Sequence, residues 1–71
     1  MGGRVLVVVS TGEVGKAALG LRWAAAAKEA GWVDSAEVAL FGPVQEAVAR
    51  GERSILDALE RVRRAGVPVY A

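Results

Sequence analysis

The chain has 71 residues, enough for one domain and no more, and a domain near this size buries only about 60 % of the surface its unfolded chain exposes. Its 54 % hydrophobic content is high for so small a body, while a formal charge of +1 offers no basic stripe for nucleic acid. The absence of cysteine and histidine from the chain removes disulfides, thiolate nucleophiles, the usual zinc ligands and the usual general base, so neither a metal nor a cofactor is expected.

The first element is a strand over about Arg4 to Val9, with an unbroken apolar run from Val5 to Val9. A strand apolar on both faces, followed at once by a helix start, reads as the first half of a parallel βαβ unit. The run ends at Ser10 and is too short to span a membrane, so a soluble, cytoplasmic protein is expected. Ser10-Thr11-Gly12-Glu13 then reads as a helix entry, with Ser10 and Glu13 at capping-box spacing.

The helix is expected from about Val14 to Ala30, with Gly31 as its left-handed terminator and Trp32 folding back on the last turn. Its core stripe is read as Val14, Ala18, Leu21, Ala25 and Ala26. Trp23 falls off that stripe and is expected to cover a second surface, either a subunit contact or another helix, an interface being commoner than a ligand site for such a residue.

A second strand is expected over Glu37 to Phe41, ending at Gly42-Pro43. Proline suits a first helical position, so a short helix from Pro43 to Arg50 follows, closed by Gly51. A further helix from about Arg53 to Ala65 carries Ile55, Ala58, Leu59, Val62 and Ala65 on one stripe. Asp57 with Arg61 and Glu60 with Arg64 are acid-before-base pairs four apart, and the basic residues near Arg63 read as a solvated helix face. Gly66 stops this helix, and Val67 to Tyr70 makes a third strand that Pro68 confines to an edge.

The order is βαβααβ in a single α/β domain, a Rossmann-like half with a three-stranded parallel sheet. Right-handed crossovers leave strand orders 2-1-3 and 3-2-1. The apolar first strand favours the interior place of 2-1-3. Asparagine is absent and glutamine occurs once, at Gln45, a composition that points to a thermophile.

Ligands in such folds gather at the carboxyl ends of the strands. The candidate rim there is Ser10, Thr11 and Gly12 after the first strand, Gly42 and Pro43 after the second, and Tyr70 at the end of the third. A phosphate-loop reading of STGEVGKA fails, because Ser10 stands where the first glycine belongs and Ala17 where a magnesium-binding hydroxyl is needed. The rim can still offer free N–H groups to an anion. Glu13 is the only carboxylate near it, which makes no acid–base pair.

Taken together, VLVVVSTGE, the helix ending KEAGW, VALFGP, and the charged helix leading into GVPVYA resemble the small DsrE-like proteins of sulfur metabolism, from Arg4 to Ala71. The resemblance implies an α/β sandwich that assembles as trimers or hexamers and, in the active branch, passes sulfur through a cysteine persulfide. In that branch the cysteine comes just after the strand matching Val67 to Ala71, where this chain stops, so a shortened form or the N-terminal part of a longer protein is expected. It implies a non-catalytic, self-assembling accessory domain, with sulfur-handling proteins as possible partners. The alternative is a small-ligand, anion or nucleotide binder using the strand-end rim.

Overall fold

The computed structural model describes residues 3–71. Its elements are β1 (Arg4–Val9), α1 (Val14–Glu29), β2 (Ser35–Leu40), α2 (Pro43–Ala49), α3 (Arg53–Arg64) and β3 (Val69–Tyr70). The strands form one parallel sheet, as expected, in the order β1-β2-β3.

That order places β2 in the middle and corrects the preference for an interior β1. Of the two layouts left open by the sequence, 3-2-1 is the one found. Both crossovers advance the sheet in the same direction, so right-handedness sets every helix on the same face. Among the described residues, no element covers the other face. Leu6 and Val8 point into it and are 56 % and 59 % exposed, so β1 is not buried on both faces. Its inward residues Val5 and Val7 are only half-buried because the strand is also an edge. An unbroken apolar run looks the same in a central strand and in an edge strand with an uncovered face.

The core forms where α1 and α3 meet the inner side of β2. Leu21, Val38, Val44, Ile55 and Val62 are its largest fully buried side chains, each worth about 1.5–3 kcal/mol on removal from water. The alanines of α1 keep the helix close to its neighbours. Ala17, Ala18, Ala24, Ala25 and Ala27 are buried, whereas Val14 and Ala26 of the expected stripe are only half-buried. A Cβ on Gly20 would meet Val9 at 3.6 Å, which marks the line of contact between α1 and β1.

The helix ends follow the chain's own signals. Gly31 adopts φ 75°, Gly31 N–H donates to Lys28 O at 3.2 Å, and Trp32 N–H donates to Ala27 O at 3.0 Å. This is the Schellman closure, which a Cβ at Gly31 would strain. The α2 and α3 ends repeat it, through Glu52 N–H to Ala47 O and Val67 N–H to Val62 O.

The N-terminus of α1 differs from expectation. Glu13 is the N-cap residue with no side-chain capping bond, so the Ser10–Glu13 box does not form. Thr11 Oγ1 instead accepts the Glu13 N–H at 3.1 Å, which tightens the turn before the helix. The α3 ion pairs also depart in part. Arg64 meets Glu60 at 3.7 Å as expected, but Arg61 reaches Glu29 of α1 at 3.0 Å rather than pairing with Asp57.

Pro68 sits at the entry to β3 and lends only its carbonyl, which accepts from Val38 N–H at 2.9 Å. This strand pairs on one side, as its proline requires. Among the described residues, no helix is long and apolar enough to cross a membrane.

Candidate functional site

Parallel neighbours end on the same side, so the loops after β1 and β2 emerge together. Gly12 lies against Pro43, where a Cβ on the glycine would come within 3.0 Å of the proline Cβ. A Cβ on Gly42 would be 3.9 Å from Ser10 O. Ser10, Thr11, Gly12, Gly42 and Pro43 are thereby gathered into one rim. Gly42 has φ 75° and ψ −135°, a backbone that side chains resist. It turns the chain from β2 into α2, and Gln45 Nε2 fastens that turn by donating to Leu40 O at 3.2 Å.

The rim offers backbone groups and little else. Among the described residues, no side chain caps the first amides of α1, and Glu13 faces Lys16 at 3.5 Å with both side chains mostly in water. The close contact of Gly12 with Pro43 seats one loop on the other.

Tyr70 does not join this rim. Its hydroxyl donates to Glu37 Oε2 at 3.0 Å, so the ring lies back along the sheet toward the start of β2. This hydrogen bond to a carboxylate, together with its charge, raises the phenol pKa above its ordinary value.

A second surface is the bare sheet face. The register aligns Val8 with Ala39 and Ala39 with Tyr70, so one row crosses all three strands. Leu6 aligns with Glu37 in the next row. Phe41 follows Ala39 by two residues, shares its face, and is 71 % exposed. The result is an apolar surface carrying a carboxylate held by a phenol.

A groove of about 310 Å³ lies between α1 and α3, lined by Arg22, Ser54, Asp57, Ala58 and Arg61. Its guanidinium groups already have partners, Arg22 in Ala18 O and Arg61 in Glu29. Elsewhere on α3, Glu60 is held below the usual carboxylate range by its hydrogen bond from Arg63. Among the described residues, no histidine, cysteine or carboxylate cluster is arranged to hold a metal ion.

The rim loops were readable from the strand-end glycines. Leu6, Val8 and Phe41 were not singled out as surface residues. The signal was in β2, where Ser35 and Glu37 alternate with Ala36 and Val38, the start of a pattern for a strand covered on one side only. No protein-family model matches the chain, and no curated protein or solved structure matches it.

Proposed function

We propose that this chain is a non-catalytic, self-assembling α/β module, an accessory or binding relative of the DsrE-like sulfur-relay proteins. The observation that carries this reading is the helix-free sheet face, with Leu6, Val8, Phe41 and Tyr70 all exposed around one row of strands. A contiguous apolar surface of this kind marks an interaction site in a soluble domain. The lack of any thiol in the chain argues against sulfur transfer on its own residues and for a role through contact. Sulfur-handling proteins are the partners the family pattern suggests, beside further copies of the chain.

Sedimentation equilibrium across micromolar concentrations tests this. Self-association is expected, and a clean monomer at every concentration overturns the reading. In a sulfurtransferase assay the chain is expected to show no turnover.

The rim supplies a second reading, favoured by the way Gly12 and Pro43 bring two strand-end loops together beside uncapped amides. Binding there would raise the Tm with millimolar phosphate or nucleotide. No shift with either removes it.

A further inference from the structure

Resting on the self-assembly just proposed, we propose that its contact is made by α1 of one copy lying on the bare sheet face of the next. Leu19 and Trp23 of the first copy then seat on Leu6, Val8 and Tyr70 of the second.

Helix α1 has two apolar sides. Leu21, Ala24 and Ala25 are fully buried against the chain's own core. Leu19 lies about 200° around the helix from Leu21, and so on the opposite side. Trp23 stands one turn beyond Leu19, and Ala26 continues the stripe. Leu19 is 66 % exposed and Trp23 46 %. A surface helix turns polar residues outward, as α3 does with Arg53, Asp57 and Arg64. An apolar stripe on the outer side as well marks a helix that is covered twice.

The sheet has the converse lack. Parallel sheets carry helices on both faces, whereas here α1, α2 and α3 share one. On the other face Ala39 aligns with Val8 on one side and Tyr70 on the other, so the smallest side chain lies in the middle of its row. A ridge of larger side chains such as Leu19 and Trp23 fills a low point of that kind.

Charge selects this helix as the occupant. Glu37 is a carboxylate on the bare face, and covering it without a partner would be costly. Tyr70 bonds one of its oxygens; a lipid surface or a wholly apolar partner would leave the other without a donor. The outer stripe of α1 is flanked by Lys16 and Arg22, each about 60° around the helix from Leu19. Arg22 enters no ion pair among the described residues. The spare helix side, its cations and the face that lacks a helix all belong to this one chain, which makes a second copy the occupant. The contact joins two different surfaces on opposite sides of the molecule, so it is heterologous and copies add in series.

Complementation between two variants is the test. Leu19→Lys spoils the helix side and leaves the sheet face intact, and Val8→Asp does the reverse. Both residues are exposed, so each variant should keep its circular dichroism spectrum; Leu19→Ser and Leu6→Ser take their places should either unfold. Alone, each should weaken association at least about tenfold in sedimentation equilibrium. Mixed, the two should form a one-to-one pair and grow no further, because one sound helix meets one sound face. Assembly lost with Val8→Asp but kept with Leu19→Lys overturns the proposal in favour of packing between sheet faces. The reverse pattern overturns it in favour of packing between helices. Assembly kept by both variants, or lost in both with no pair on mixing, also overturns it. In each of these cases self-assembly itself stands, whereas a monomeric wild type sinks both.

Discussion

Tyr70 and Glu37 are joined across the bare face of the sheet, the phenolic O–H donating to the carboxylate at 3.0 Å from one strand to the next. The bond ties the short third strand to the centre of the sheet, where only a two-residue ladder otherwise holds it.

The link should be visible in a spectrophotometric titration, because Tyr70 is the only tyrosine. Its hydrogen bond to Glu37 raises the folded-state pKa above the ordinary value. The proton is therefore held more firmly folded than unfolded. The stabilisation is complete below the unfolded pKa near 10 and is lost as pH rises through the folded one. Glu37→Gln is expected to move the tyrosinate absorbance midpoint back toward that of a free phenol. An unchanged midpoint would show that the bond does not persist in solution.

Aspartate substitutions in the sheet should separate its two faces. Val38 is fully buried on the central strand, and Val38→Asp leaves an unpaired charge in the core, so it should abolish folding. Val8→Asp lies on the bare face and should keep cooperative urea unfolding. Equal damage from both would mean that the face is covered.

Gly42→Ala should cost about 1–3 kcal/mol in chemical denaturation, because φ 75° with ψ −135° is strained for any residue with a Cβ. The loss should appear as a lower denaturation midpoint with an unchanged m-value. A neutral substitution would show that the turn relaxes without loss.

The ion pair between Arg61 and Glu29 bridges α3 and α1 with about half of each side chain in water. A double-mutant cycle with Arg61→Ala and Glu29→Ala is expected to give a coupling of about 0.2–1 kcal/mol, shrinking with added salt. A salt-independent coupling would place the pair in a drier setting than its exposure indicates.

Trp23→Ala should weaken self-association while leaving helix content nearly intact, since the ring is not part of the core cluster. Parallel loss of helicity and assembly would instead make the residue a core contact.

Much of the architecture was legible because local signals are strong in this chain. Pro43 marks a helix entry, Gly31, Gly51 and Gly66 end three helices, and Pro68 confines the last strand to an edge. These effects act within a few residues, so the string alone carries them. The rim of Ser10, Thr11, Gly12, Gly42 and Pro43 followed too, since parallel strands deliver their loops to one side. Tyr70 escaped because its hydroxyl is directed by Glu37, a residue far away in sequence.

Only the tertiary structure decided what β1 faces. Val5 to Val9 would suit a buried central strand or an exposed edge equally well, because burial depends on what the rest of the chain places alongside, not on the strand's own composition. Successive right-handed crossovers in one direction put β2 at the centre, set α1, α2 and α3 on one side, and left Leu6 and Val8 uncovered. The elements were written locally; the exposed face of the sheet arises from how those elements are arranged.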